Sequence, residues 1–239
     1  LQPRELAITL VDLRTPHKPE RGSYRGTEQI YPASVVKMFY LAAAHQWMED
    51  GKLADSAELR RAMRDMIVDS YNEPTGYIVD CLTGTTSGPE LSPAEMEIWY
   101  EKRNAVNRWF AALGYQNINV NRKPWCEGPY GREMQSVKLH PPNHRNWLTT
   151  DATARLLVEI ATGQCPDKLL YPVKGRLRYL LLIADTPEQG RNRGAIIVVV
   201  LRSHQLVAGQ AAPVAGFRFQ DAAEHRYCAV GDQCDAFDQ

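Results

Sequence analysis

Residues 30–51 read IYPASVVKMFYLAAAHQWMEDG, and the organisation of the whole chain turns on them. From Ser34 to Glu49, apolar side chains at Val35, Val36, Phe39, Tyr40, Ala43, Ala44 and Trp47 recur every three or four residues, the period of a helix with a buried face. Gly51 supplies its stop signal. If Ser34 begins this helix, Lys37 lies three residues later and returns its amine to the same face. A serine hydroxyl is a weak nucleophile until a neighbouring base takes its proton, and a neutral lysine serves as that base where burial or nearby cations disfavour the ammonium form. The plainer account of the same letters is an N-cap serine followed by a solvated lysine.

Working outward, Leu6 to Leu13 is a compact apolar run with β-branched members and reads as a first strand. Thr15 to Gly26 carries Pro16, Pro19, Gly22 and Gly26 among polar residues and reads as an exposed connection before Ile30. Beyond the Ser34 helix, Ser56 to Asp69 gives a second, with Leu59, Ala62, Met63, Met66 and Ile67 on one side. Ser70-Tyr71-Asn72 is then a short interhelical element, and Pro74 permits a third helix that turns Ile78, Val79 and Leu82 inward. Ala94 to Leu113 is predicted as one helix with Gly114 at its C-cap. Tyr115 to Trp147 is irregular and rich in Pro, Gly and Asn; it is too long for an ordinary connector and is expected to wall a site. Thr149 or Thr150 caps a helix running through Ala161. Tyr179 to Ala184 and Ala195 to Leu201 read as strands, paired as antiparallel neighbours across the turn-forming residues 185–194. The order strand, helices, strands predicts an α+β domain over 1–239. Its antiparallel sheet lobe comes from about residues 1–30 and 165–239, and its mainly helical lobe from about 34–164.

Composition narrows the function. The 239 residues carry 28 basic and 28 acidic side chains, a formal charge of zero, and contain no long basic run, which argues against nucleic-acid binding driven by phosphate neutralisation. No apolar run approaches the roughly 20 residues that span a bilayer. The chain opens at Leu1 without a charged and apolar leader, as expected of an intracellular chain or a mature exported one. The five cysteines fit neither a dense disulfide scaffold nor a paired zinc site; only Cys228 and Cys234 are close enough in sequence to suggest a local bridge. The histidines form no metal-binding pattern and there is no glycine-rich nucleotide loop, so no cofactor and no metal is expected.

With Pro32-Ala33-Ser34-Val35-Val36-Lys37-Met38 and Ser70-Tyr71-Asn72 in this order, the sequence resembles the penicillin-recognising serine hydrolases, particularly the class A beta-lactamases. In that family a Ser-x-x-Lys motif opens a long helix after an initial strand, and a Ser-x-Asn element follows between helices. LTTDATARLLVEIATGQ at 148–164 resembles the helix after the family's active-site loop, so the likeness spans most of residues 6–164. It implies a beta-lactamase/transpeptidase-like α+β fold in which Ser34 is the nucleophile and Lys37 assists proton removal. Ser70 would relay the proton to the leaving nitrogen, and Asn72 would orient the substrate amide and Lys37. Tyr71 stands where the class A pattern has an aspartate and would reshape the entrance. For the glutamate that activates water, the nearest positions are Glu127 and Glu133, neither in the family's Glu-x-x-Asn context; Glu127 is preferred for its setting between Trp125 and Gly128-Pro129.

The family's Lys-Thr-Gly triplet is absent. Thr186, in IADTPEQGRNRGAI, stands near the threonine position with Asp185 where a lysine belongs, whereas Lys174-Gly175 lies before the expected strand. Arg191 and Arg193 are candidates for binding a substrate carboxylate, and the oxyanion would be held by the Ser34 backbone N–H together with a second one on the sheet edge. The implied activity is hydrolysis of a beta-lactam amide through a Ser34 acyl-enzyme. The alternatives are a DD-peptidase, transpeptidase or esterase with the same machinery, or a noncatalytic ligand-binding relative. The implied partner is a small beta-lactam or a cell-wall peptide-like substrate, and the implied location is periplasmic or secreted.

Overall fold

The computed structural model describes residues 6–13, 18–125, 128–140 and 145–162, and the backbone of 196–202. Three antiparallel strands, β1 (Leu6–Asp12), β2 (Glu20–Tyr24) and β3 (Ile196–Arg202), form a sheet in the order β2-β1-β3. Ile8 lies opposite Tyr24 on one side and Val200 on the other. Ala7, Thr9 and Val11 alternate onto the buried face of β1, as period-2 patterning requires. The stretch read as a loop between Thr15 and Gly26 therefore contains a strand. β2, with the sequence ERGSY, is exposed throughout and has no apolar alternation to betray it. An edge strand is held by its main-chain ladder and does not need an apolar face. Of the two strands expected near the C-terminus, the later is β3, which pairs with β1; Tyr179–Ala184 lies outside the described residues.

The helices are α1 (Val36–Glu49), α2 (Ala57–Val68), α3 (Asn72–Thr83), α4 (Pro93–Arg103), α5 (Ala105–Ala112), α6 (Gly131–Leu139) and α7 (Thr150–Thr162). α1 sits at the centre. Every residue from Val36 to His45 is buried, so the helix is enclosed on all sides where its period predicts one inward face. Ala42, Ala43 and Ala44 let neighbours approach closely. Phe39 packs on Phe110 with ring centroids 4.9 Å apart and on Tyr115 at 6.2 Å, and Trp47 meets Trp109 edge-on at 5.5 Å. Each such aromatic contact adds about 0.5–1.5 kcal/mol beyond the area it buries.

Local signals set most boundaries. Ser56 Oγ accepts the Leu59 N–H at 3.1 Å at the start of α2, and Ser92 with Glu95 forms a capping box on α4. Thr149 Oγ1 accepts the Ala152 N–H at 3.0 Å to cap α7. The helix expected over Ala94–Leu113 is two helices, broken at Asn104. The side chain of Asn104 donates to Tyr100 O at 2.9 Å, and its Oδ1 receives both Asn107 and Asn121. A local amide of this kind competes with helix continuation.

The irregular stretch 115–147 also contains a helix, α6. It begins at Gly131 (φ 51°), where an added Cβ would fall 2.0 Å from Gly88 O. Only glycine meets both conditions. α7 packs against β1 and β3, and the hydroxyl of Thr9 donates to Asp151 Oδ1 at 2.6 Å. Arg21 and Ser23 also reach Asp151. Burial works to raise this carboxyl, but the bonds from Thr9, Arg21 and Ser23 outweigh it and hold the pKa below the ordinary value. Among the described residues no helix is long and apolar enough to cross a membrane.

Candidate active site

Two chain segments converge at the start of α1. The first is a 3-10 turn, Ala33–Val35, that leads into the helix and places half-buried Ser34 one turn before Lys37. The second is the α2–α3 junction. There Ser70 takes a left-handed conformation (φ 56°), Tyr71 is extended, and Asn72 opens α3. The reversal at Ser70 turns its carbonyl toward α1. Lys37, only 2% exposed, donates to Ser70 O, to Ser70 Oγ at 3.1 Å and to Asn72 Oδ1 at 2.9 Å. These three acceptors carry no formal charge.

Backbone strain gathers here. Four non-glycine residues have positive φ among the described residues: Arg25, Ala33, Ser70 and Asn117. Two of the four flank this cluster, Ala33 directly before Ser34 and Ser70 within it. Such conformations cost about 1–3 kcal/mol and persist where the surrounding structure over-determines them. At Ser70 the carbonyl and hydroxyl bonds to Lys37 contribute, together with the Tyr71 N–H donating to Asp65 O at 3.3 Å and Thr75 Oγ1 donating to Tyr71 O at 2.7 Å.

Lys37, Ser70 and Asn72 are thus brought into direct contact, with Ser34 on the adjoining turn. Tyr71 is 55% exposed beside them. Glu127, Thr186, Arg191, Arg193, Lys174-Gly175, Cys228 and Cys234 lie outside the described residues. Glu133, the second glutamate weighed for water activation, is buried in an ion-pair cluster. Its Oε1 accepts from Arg103 Nη2 at 2.6 Å and lies 3.8 Å from Lys123 Nζ. Lys123 Nζ in turn donates to Asp80 Oδ2 at 2.6 Å and to Ser87 Oγ at 2.9 Å. Burial raises the Asp80 carboxyl even against the opposing pull of Lys123 and Arg103.

This cluster has no counterpart in the sequence reading, because its members come from four separate segments and no spacing links them. It borders the site through α3. Asn72, Gly76 and Asp80 succeed one another at i, i+4 along one face of that helix. The Lys123 stem crosses this face at Gly76, where an added Cβ would lie 3.5 Å from Lys123 Cδ. Lys123 belongs to the irregular stretch expected to wall the site. Its own path is held by Tyr40, whose hydroxyl donates to Arg122 O at 2.7 Å, and burial pushes the Tyr40 hydroxyl pKa well above its ordinary value. No group of three or more His, Cys, Asp or Glu side chains suited to a metal ion occurs among the described residues.

An antiparallel sheet beside a helical body, with a buried lysine joining the start of the central helix to a Ser-x-Asn turn, defines a beta-lactamase-like α+β fold. The sequence comparison agrees: the chain belongs to the beta-lactamase enzyme family, whose model matches residues 2–170. Solved structures with similar folds include a beta-lactamase from Chitinophaga pinensis at 14% identity and TM-score 0.52, covering 83% of this chain and 84% of the other. TLA-3 extended-spectrum beta-lactamase matches at 13% identity and TM-score 0.53, covering 83% and 84%. An ancestral class A beta-lactamase (GNCA) matches at 17% identity and TM-score 0.50, covering 85% and 87%. At these identities the likeness concerns the fold. No curated protein matches the chain at a significant level.

Proposed function

We propose that the chain is a serine hydrolase that opens a beta-lactam amide through an acyl-enzyme on Ser34. The observation that carries this reading is the buried Lys37 amine held between Ser70 and Asn72, one turn from a serine. In the neutral form that this reaction requires, Lys37 would keep two N–H bonds, to Ser70 O and Asn72 Oδ1, and turn its lone pair toward the Ser70 hydroxyl 3.1 Å away. Ser34 Oγ attacks the lactam carbonyl, and its proton passes through Lys37 and Ser70 to the ring nitrogen as the C–N bond breaks. The Ser34 backbone N–H is one oxyanion donor. Asn72 aligns the substrate amide while its Oδ1 fixes the lysine.

Exposed Tyr71 offers an aromatic face at the entrance, and Thr186, Arg191 and Arg193 are assigned to the substrate carboxylate side. Glu127 is assigned to activate the water that hydrolyses the Ser34 ester. A periplasmic or secreted location accompanies this reading, since such substrates are met outside the cytoplasm.

The decisive experiment is reaction with a chromogenic beta-lactam, followed by intact mass over time, with Ser34→Ala as control. A Ser34-dependent adduct with rapid turnover supports the lactamase. A persistent adduct moves the chain to a penicillin-binding peptidase or transpeptidase. Absence of any adduct overturns serine acylation by lactams.

A further inference from the structure

Away from the cluster just described, a groove of about 580 Å³ opens along α5 and the C-terminal end of α4. Ser34, Lys37, Ser70, Tyr71 and Asn72 do not line it. None of its described lining residues carries a charge, in a chain with 23% charged residues. Four carboxamides take their place: Gln29, Asn104, Asn107 and Asn119. Its aromatic lining is Tyr100, Trp147 and the largely buried Tyr115.

Three of the four carboxamides, Asn104, Asn107 and Asn119, are held in fixed orientations by hydrogen bonds, while Gln29 is exposed at the rim. Asn107 Nδ2 donates to Asn104 Oδ1 at 2.9 Å and to Asn119 Oδ1 at 2.6 Å, and Asn107 Oδ1 accepts the Val120 N–H at 2.7 Å. Asn119 Nδ2 donates to Arg145 O at 2.7 Å. This linked set settles which end of each asparagine amide is oxygen, and Asn107 Oδ1, which accepts the Val120 N–H, has a second lone pair to offer a ligand hydroxyl. Tyr100 is fixed by stacking on His140, with centroids 3.7 Å apart and rings 10° from parallel.

A charged ligand would find no counter-charge on these walls, and an apolar one would cover amides without replacing their water. A ligand dense in hydroxyls, with donors and acceptors but no charge and with C–H faces to lay on aromatic rings, matches both features. The geometry points to a binding site for a neutral oligosaccharide of roughly two to three sugar units, a size suited to a cleft of this volume. This site is separate from the Ser34 chemistry, and its occupancy is independent of whether that serine is acylated.

The test uses the intact chain. Chitotriose and maltotriose are titrated by calorimetry and tryptophan fluorescence, alongside Ala111→Trp and Gln29→Ala. Ala111 is an exposed lining residue on α5, so a tryptophan there fills the groove without entering the core. Saturable binding of at least one sugar is expected, weakened by about tenfold or more in Ala111→Trp. A smaller loss is expected in Gln29→Ala. The unfolding midpoint and Ser34 labelling of both variants should match the parent. No saturable binding of either sugar up to about 10 mM overturns the proposal, a range that reaches the weak end of specific affinities. So does binding that Ala111→Trp leaves unchanged.

Discussion

Replacing Glu133 by glutamine separates two roles that a glutamate near this site can have. In the structure Glu133 is 5% exposed and its Oε1 accepts from Arg103 at 2.6 Å and from Ser87 Oγ at 3.1 Å, with Lys123 at 3.8 Å. Breaking a buried ion pair by removing one partner costs about 3–5 kcal/mol. Two features reduce that here. Glutamine keeps a carbonyl oxygen able to accept from Arg103. Asp80, 3.5 Å from Arg103 and 2.6 Å from Lys123, still offsets part of the remaining positive charge. The expected loss is therefore about 2–3 kcal/mol, just below the buried-pair range. For a chain of this size that corresponds to a fall in Tm of roughly 4–12 °C. Urea unfolding and calorimetry measure it, and beta-lactam burst kinetics well below Tm measure the chemistry. Because Glu133 is committed to two cations, its loss should leave burst amplitude and turnover within about twofold of the parent, as a residue acting on stability does. A variant of unchanged stability that acylates in a burst and then stops would refute this reasoning and make Glu133 the water-activating carboxylate.

The remaining predictions bear on the proposed chemistry and on the packing around it. Glu127→Gln should retain the acylation burst and slow steady-state turnover, and unchanged turnover removes Glu127 from deacylation. Lys37→Met keeps most of the buried volume but deletes the amine; acylation should fall by about 10²–10⁴-fold, the usual contribution of a positioned base, and an unaffected acylation rate takes Lys37 off the proton path. His45 is buried, and its pKa is lowered by burial and then by Arg60, so the unfolded chain binds the extra proton first. Its contribution to stability is complete above the unfolded value of 6.5 and is lost as pH falls below it toward the lower folded pKa. Denaturation midpoints of His45→Gln should accordingly be flatter than the parent's between about pH 7 and 5, and parallel profiles would refute the assignment. Gly131→Ala meets Gly88 O and a left-handed backbone at once, so it should lose about 2–4 kcal/mol by urea unfolding. A neutral result would contradict that close approach.

Legibility in the sequence followed the range of the interactions. Ser56, Thr149 and Gly114 mark helix ends because a cap is a contact between residues a few positions apart. Ser34, Lys37, Ser70 and Asn72 were readable for a related reason: each stands at or within a turn of a helix start or interhelical junction, where local rules place it. The depth of α1 was hidden, since its apolar period describes one face and cannot register that α3, α5 and neighbouring segments enclose the others. β2 was hidden because an edge ladder leaves no mark on side-chain pattern. The break at Asn104 combines local bonds with one from Asn121, 17 positions further on, which no local pattern shows. The Asp80–Arg103–Lys123–Glu133 cluster spans four segments, and each member alone reads as an ordinary surface charge.

The depth of α1 bears on the chemistry as well as on stability. Lys37 sits within a run of ten consecutive buried residues, so its backbone cannot shift without disturbing Phe39, Tyr40 and the rings packed against them. A lysine on a surface helix would lose substantial rotamer freedom on reaching a single geometry, about 2 kcal/mol when fully ordered. Here that cost falls during folding, against the burial of the whole helix, so the proposed reaction would not incur it again. The positive φ at Ser70 is sustained by its bonds to the Lys37 amine, whose position the core fixes. The weakest point of such an arrangement is the α2–α3 junction, since Ser70 and Asn72 face Lys37 only while that turn keeps its reversal.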